Sequence, residues 1–291
     1  MVIVIAGPTG TGKTDLSLYL AKNLNGEIVN ADSTQIYKGM DIATAKVKDK
    51  ENIPHHLFDI LDITEDYSVF DYQKDARKVI EDIIKKGKTP ILVGGTGLYI
   101  KAALYNYEFS NSEKKQYENL SNEELYQKLK AADPYTSIHL NNRVRMVNAL
   151  NYYENNGKPF SEKEKNDSLL YDTIFIGLTT SRDILYDKIN KRVDAMVEDG
   201  LLEEAKSIYN SNIRTKAVLT PIGYKELFPY FEGQGTLNDC LDLIKQRSRN
   251  YAKRQYTWFN NQMDLKWFET NYDNFSNTEE KVLEYIKSQT N

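Results

Sequence analysis

The sequence predicts an α/β protein in which a parallel sheet is flanked by helices and interrupted by an all-helical insertion. Three observations predict it. Short apolar runs at 2–5, 27–30, 90–93 and 173–178 alternate with segments of helical period. The first and third of these runs each end in a Gly-rich turn. Between 107 and 170 strand-like alternation is absent, and Asn, Glu, Lys and Tyr dominate.

The first run leads into Gly7-Pro8-Thr9-Gly10-Thr11-Gly12-Lys13-Thr14, then a helical pattern with Leu16, Leu20, Ala21 and Leu24 on one side. This is the full P-loop pattern in its strand-to-helix context, and it makes the predicted fold P-loop NTPase-like. Glycines let the backbone turn tightly so that several N–H groups aim at one phosphate. The helix N-terminus adds partial positive charge. Lys13 supplies a point charge for the terminal phosphate, and the Thr14 hydroxyl can ligate Mg²⁺. A phosphorylated ligand is therefore expected here. The motif alone does not say whether a nucleotide is hydrolysed or a diphosphate departs.

The second run, 27–30, ends at Ala31-Asp32-Ser33-Thr34-Gln35. Ligands of doubly wound sheets bind at the carboxyl ends of strands, so Asp32 is expected in the crevice with Lys13; a helix N-cap is the alternative. Pro54-His55-His56 lacks metal-ligand spacing and reads as loop or packing. Ala76, Val79, Ile80, Ile83 and Ile84 predict a helix over 70–87 with Gly87 as terminator. The strand at 90–93 then meets Gly94-Gly95-Thr96-Gly97, a turn where backbone or ligand approaches closely.

Within the insertion, Ser121 and Glu124 form a capping box ahead of Leu125 and Leu129. Asp133-Pro134 predicts a helix restart, and Val144, Val147 and Leu150 another helix closed by Gly157. The predicted division is a core of 1–106 with 171–291, C-terminal helices included, and an insertion of 107–170. After the strand at 173–178, Ser181 caps a helix with Leu185, Ile189, Val193 and Met196 as its stripe. Arg182, Lys188 and Arg192 lie off that stripe, the pattern of a solvated face. Ile222-Gly223-Tyr224-Lys225 reads as a turn.

From Thr236 a long helix buries Leu237, Cys240, Leu241, Ile244, Ser248 and Tyr251. Lys245, Arg249 and Lys253 repeat on another face, flanked by Arg247 and Arg254, and the helix ends in Tyr256, Trp258 and Phe259. A basic face with an aromatic tip fits RNA, and a surface helix ending in core aromatics fits the same letters. A last amphipathic helix follows around Val282, Tyr285 and Ile286.

The 291 residues suit one large domain, or one with a sizeable insertion. Net charge is −4, which argues against nonspecific nucleic-acid binding but leaves room for a local basic stripe. No run reaches the roughly 18 apolar residues of a membrane span, and Met1 leads straight into the first strand, so a cytoplasmic protein without membrane contact is expected. The single cysteine, Cys240, excludes an internal disulfide and a zinc-finger framework, and is expected in the core.

Six blocks in order carry a resemblance: the P-loop, Asn30-Ala31-Asp32-Ser33 with Gln35-Ile36-Tyr37, Pro54-His55-His56-Leu57, Val93-Gly94-Gly95-Thr96-Gly97-Leu98-Tyr99, Ile222-Gly223-Tyr224-Lys225, and Ala252-Lys253-Arg254-Gln255 with Thr257-Trp258-Phe259. The chain resembles the bacterial tRNA dimethylallyltransferases (IPP transferases) from its first strand to Trp267. The resemblance implies transfer of a dimethylallyl group from dimethylallyl diphosphate to N6 of adenosine 37, beside the tRNA anticodon, with Mg²⁺ and no nucleoside triphosphate consumed. It implies that the P-loop grips the donor diphosphate, that Asp32 takes the N6 proton, and that Thr9 and Arg192 assist the leaving group. Contacts to the tRNA anticodon stem-loop are implied for Asp32, Ser33, Thr34, Gln35 and Thr96, with Arg145 from the insertion and Lys245, Arg249, Lys253 and Arg254 along the basic face. A monomer is expected. Ala43 and Val47 stand where the family often has Gly and Pro, and Asn142 and Asn148 replace an expected Asp and Arg around Arg145. Three other readings share the P-loop: prenyl transfer to free AMP, a small-molecule kinase or NTPase, and a noncatalytic RNA-binding switch.

Overall fold

β1 (Val2–Ala6) is buried along its whole length, and its alternation sorts two cores. Val2, Val4 and Ala6 face one helical layer while Ile3 and Ile5 face the other, as a period of two requires. The computed structural model describes residues 1–106, 115–163 and 168–290. The chain divides into two compact units, Met1–Tyr105 with Leu169–Asn291, and Asn106–Ser168.

In the larger unit β1 is followed by α1 (Lys13–Asn23), β2 (Gly26–Asn30), the two-residue β3 (His55–His56), α2 (Val69–Lys85), β4 (Thr89–Val93) and α3 (Gly97–Leu104). α4 (Asn122–Ala132) and α5 (Arg143–Asn156) belong to the smaller unit. The larger unit resumes with β5 (Thr173–Thr179), α6 (Arg182–Glu198), α7 (Leu201–Asn210), the single turns α8 (Lys216–Leu219) and α9 (Phe228–Phe231), α10 (Leu237–Gln262), β6 (Lys266–Glu269) and α11 (Phe275–Thr290).

The sheet runs β3-β2-β4-β1-β5-β6 with every pairing parallel. Ile5 lies opposite Val93 of β4 and Ile176 of β5. The chain leaves β1 for β2, beyond β4, and later returns to β1's other side as β5. That reversal opens a crevice at the carboxyl end of β1, the place where such sheets bind ligands. Purely parallel strands are covered on both faces, hence the unbroken apolar runs. α2, α3 and the end of α10 cover one face, and α1 and α11 the other.

Local chemistry explains the helix limits. Ser68 and Asp71 form a reciprocal capping box at the start of α2, whose Tyr72, Ala76, Ile80 and Ile83 are buried. Ile80 and Ile83 each contribute about 1.5–3 kcal/mol on burial. The predicted stripe is shifted slightly, because Ile84 faces solvent at 39% exposure. Ser181 is the N-cap of α6 but its side chain makes no capping bond.

His55 and His56 are not loop residues. They pair in parallel with Ile28 and Val29 as an edge strand. His56 Nε2 lies 2.7 Å from Glu27, a carboxylate 2% exposed that also meets Lys86 and Lys88. Burial alone would raise the Glu27 pKa, but hydrogen bonds from Lys88, His56 and Lys86 outweigh it and hold it down at about 2.

In the smaller unit Ser121 and Glu124 form the expected capping box, and Gly157 ends α5 at φ 65°. Leu125, Leu129, Met146, Ala149 and Leu150 make its core, whereas Val144 is 72% exposed. No helix starts at Pro134. Asp133 instead ends α4, and its buried carboxylate accepts from the Ser161 N–H at 2.8 Å and hydroxyl at 2.6 Å. That tertiary partner removes Asp133 from the role of N-cap. Leu169 and Leu170 lie with the larger unit, since Leu169 bridges to Tyr105 and the Leu170 N–H donates to Leu104. The expected boundary at 107 falls outside the described residues.

Candidate active site

The P-loop leaves β1 through Gly7, whose φ is 136° and where a Cβ would stand 2.5 Å from the Leu178 carbonyl. Only glycine fits both constraints. Gly12 is the N-cap of α1 and has no side chain to satisfy the first N–H groups, which leaves them for an anion. Lys13 Nζ donates to the Pro8 carbonyl at 2.7 Å, and the Thr11 hydroxyl donates to the same oxygen at 2.9 Å.

A cavity of about 690 Å³ opens beside this loop. Lys13, Asp32 and Arg192 all line it, although they come from α1, the β2 end and α6. Arg192 is therefore not on a solvated face; its Nη1 donates to Thr9 Oγ1 at 2.9 Å. Burial, with Arg192 second and Asp32 opposing, lowers the Lys13 pKa to about 7. Burial also lowers that of Arg192, again opposed by Asp32. Two cations, Lys13 and Arg192, thus stand crowded beside the Asp32 carboxylate. Such a site gains most from a polyanion.

Asp32 sits in a turn and caps no helix. Its Oδ1 accepts from the Thr34 N–H at 2.9 Å and hydroxyl at 2.7 Å. Fully buried Asn30 brackets the Asp32 backbone, accepting from its N–H and donating to its carbonyl, while Tyr72 donates to the Asn30 carbonyl. The Ser33 N–H donates to Thr96 Oγ1 at 3.1 Å, which ties this turn to the second Gly-rich turn. Gln35 spends its amide on the carbonyls of Thr44 and Ala45, closing the 35–45 loop. Glu204 of α7 accepts the N–H groups of Asp41, Ile42 and Ala43 and the Tyr224 hydroxyl, so Ala43 is held at the crevice wall.

The basic face of α10 divides by partner. Lys245 pairs with Asp194 at 2.5 Å and Arg249 donates to Asn190 at 2.6 Å, so both bind α10 to α6. Arg247 pairs with buried Glu226. Lys253 and Arg254 are exposed, and Arg254 lines the crevice. Trp258 fills the space a Gly97 side chain would take, and Phe259 is fully buried. Arg145, in the smaller unit, is exposed, and Asn142 caps its helix by accepting the Arg145 N–H. Cys240 is buried, as expected.

Gln255 is the residue whose role the sequence did not reveal. It is 5% exposed, its Oε1 accepts the Thr9 N–H at 2.9 Å, and its Nε2 donates to the Gly95 carbonyl at 3.1 Å. A side chain at Gly95 would collide with that amide. The available signal was a glutamine on an apolar helix stripe, between Ala252 and Phe259. Tyr251 also lines the crevice, and burial, with Asp32 second, raises its pKa so that the phenol stays protonated.

Among the described residues no group of three or more His, Cys, Asp or Glu could hold a metal. The exposed Thr14 hydroxyl and the Asp32 carboxylate are oxygen donors at one crevice. A hard divalent cation that takes most of its ligands from phosphate and water fits that sparse donor set. No described helix is long and apolar enough to cross a membrane.

The family model described as IPP transferase matches residues 35–262. A tRNA dimethylallyltransferase of Anoxybacillus flavithermus is 47% identical, with 98% of this chain and 96% of that protein covered. That of Bacillus subtilis is also 47% identical, over 92% of this chain and 90% of that protein. The solved tRNA isopentenylpyrophosphate transferase of Staphylococcus epidermidis aligns with TM-score 0.75 and 40% identity over 99% of both chains. A eukaryotic dimethylallyltransferase acting on tRNA aligns with TM-score 0.80 and 34% identity, over 92% of this chain and 73% of that one. The resemblance carried by the six blocks thus extends over nearly the whole sequence, and the chain belongs to the IPP transferase family.

Proposed function

We propose that this chain transfers the dimethylallyl group of dimethylallyl diphosphate to N6 of adenosine 37 in tRNA, releasing diphosphate. One observation carries the reading: Lys13, Arg192 and the P-loop N–H groups meet Asp32 in a single crevice. An exocyclic adenine amine is a weak nucleophile, so the reaction depends on stabilising charge on the leaving group. The N6–C1 bond forms as the C1–O bond breaks, and the electron pair leaves on the diphosphate. Lys13, released from Pro8, and Arg192 lie where they would neutralise it. Asp32 Oδ1 is held by Thr34, which leaves the carboxylate oriented to accept the N6 proton. Mg²⁺, with Thr14 as its protein ligand, would add positive charge to the same diphosphate.

Ala43, Val47, Val193, Met196 and Ile222 give the crevice an apolar wall suited to a five-carbon chain. The base must leave its stack to enter. Ser33, Thr34, Gln35 and Thr96 sit beside Asp32 at the entrance, and Lys253 and Arg254, with Arg145 of the insertion, are the exposed cations offered to the tRNA backbone. Lys245 and Arg249 contribute their charge from within intrachain pairs.

Mass analysis of nucleosides, after incubating unmodified tRNA with the protein, Mg²⁺ and dimethylallyl diphosphate, tests this. N6-(dimethylallyl)adenosine at position 37 is expected. Preference for AMP over tRNA in competition would move the acceptor to the free nucleotide. Phosphate release from ATP without prenyl transfer would make the P-loop that of a kinase or NTPase.

A further inference from the structure

Two side chains just past β6 grip carbonyls of the P-loop. Tyr272 donates its hydroxyl to the Gly10 carbonyl at 2.7 Å, and Thr270 donates to the Thr11 carbonyl at 3.0 Å in a buried bond. The ring of Phe275 packs against the Gly12 backbone beside them. The segment is itself well anchored. The Thr270 N–H continues the strand pairing to the Thr179 carbonyl, and Asn271 closes the turn by accepting the N–H groups of Asp273 and Asn274.

The geometry of a trans peptide couples these carbonyl contacts to the direction of the loop's N–H groups. The carbonyl of residue i and the N–H of residue i+1 point in opposite directions across a planar unit. Holding the Gly10 oxygen on Tyr272 therefore aims the Thr11 N–H away from that side chain, and holding the Thr11 oxygen on Thr270 aims the Gly12 N–H away from Thr270. The Thr9 N–H is occupied by Gln255, and the Thr11 and Gly12 N–H groups are among the loop donors left for an anion. Tyr272 has a second contact. Lys188, one turn before Arg192 on α6, places Nζ 4.4 Å from the Tyr272 ring centroid, and both residues line the crevice. A cation over an aromatic face is held there without neutralising its charge. Burial pushes the Tyr272 pKa up to about 12, so its hydroxyl remains a donor at neutral pH.

We infer that Thr270 and Tyr272 are positioning residues for the diphosphate: they lock the Gly10–Thr11 and Thr11–Gly12 peptide planes, and with them the direction of the N–H groups, and Tyr272 seats Lys188 as a further cation for the same anion. The inference rests on the diphosphate reading of the P-loop. It gives the C-terminal segment, which lies beyond both the recognised blocks and residues 35–262, a part in donor binding.

The test compares Tyr272→Phe, Tyr272→Leu, Thr270→Val and Thr270→Ser with wild type. Binding of inorganic diphosphate is followed by calorimetry, and steady-state kinetics are measured for donor and tRNA separately. Tyr272→Phe and Thr270→Val should each weaken diphosphate binding and raise donor KM about fivefold, the worth of one hydrogen bond. Tyr272→Leu, which also unseats Lys188, should exceed Tyr272→Phe. Thr270→Ser keeps the hydroxyl and should restore wild-type binding. The tRNA KM and the thermal midpoint of Tyr272→Phe should stay at wild-type values, which a general loss of structure would not allow. Should Thr270→Val fail to fold, Tyr272→Phe, lacking one oxygen, still decides. Diphosphate binding equal to wild type in the Phe variant, or parallel rises in donor and tRNA KM, overturns the assignment. A wild type that binds no diphosphate overturns the donor reading, and this assignment with it.

Discussion

Gln255 and Thr9 are 246 positions apart in sequence and joined by a 2.9 Å hydrogen bond from the Thr9 N–H to Gln255 Oε1. The same side chain donates to Gly95, so one glutamine of α10 links the P-loop to the second Gly-rich turn. Gln255→Ala leaves a buried N–H and a buried carbonyl unpaired, which costs about 1–3 kcal/mol for each group left unsatisfied. A lower denaturant midpoint and a higher donor KM are expected. An unchanged midpoint would mean the two loops hold their places without the link.

Asp32→Asn retains an oxygen for Thr34 and removes the base. Product formation in single turnover should fall about 10²–10⁴-fold while tRNA affinity is kept. Activity within about tenfold of wild type would remove Asp32 from proton transfer.

Lys13, with its pKa lowered to about 7 by burial first and Arg192 second, is largely neutral at pH 8.5 in the free protein. A bound diphosphate favours its charged form, so binding at that pH should take up a proton. Calorimetry in buffers of different ionisation enthalpy measures it, and Lys13→Met corrects for the ligand's own titration. The stability sign follows from the same shift. The folded value lies below the unfolded 10.5, so the penalty is fully present below about 7 and relieved as pH rises from 7 to 10.5. Relative to Lys13→Met, the free protein should gain stability across that range. A proton uptake identical in wild type and variant would contradict the assignment.

Arg247 and Lys253 should separate structural from RNA-facing charge. Arg247→Ala strands the carboxylate of Glu226, which is 2% exposed. Because Arg247 itself is partly wet, the cost should fall to about 2 kcal/mol, below the 3–5 of a fully buried pair. Lys253→Ala should leave stability unchanged and reduce the salt dependence of tRNA binding by about one counterion. Chemical denaturation and salt-titrated binding give both values, and a destabilised Lys253 variant would reverse the division.

The local patterns were legible because their causes are local. The P-loop needs glycines where the backbone must turn and a lysine at the helix start, and all of these lie within eight adjacent residues. Ser121 with Glu124 announces a helix start by itself. Where the sequence misled, a distant partner had intervened. Ser161 recruits Asp133 and no helix starts at Pro134, while Glu27 and the β2 edge draw His56 into the sheet.

From sequence alone came the parallel α/β class, the phosphate-loop pattern and Asp32 at the carboxyl end of a strand, which depend on residue type and spacing along the chain. The resemblance carried by the six blocks added the family and the choice of Arg192, which spacing alone put on a solvated face. Only tertiary structure decided that Arg192 reaches Thr9, that Lys245 and Arg249 serve α6, and that Gln255, Thr270 and Tyr272 brace the P-loop. Each of these contacts joins segments brought together by β-strand order and helix packing. A backbone carbonyl or amide accepts any suitable side chain, so the sequence carries no mark of which one arrives.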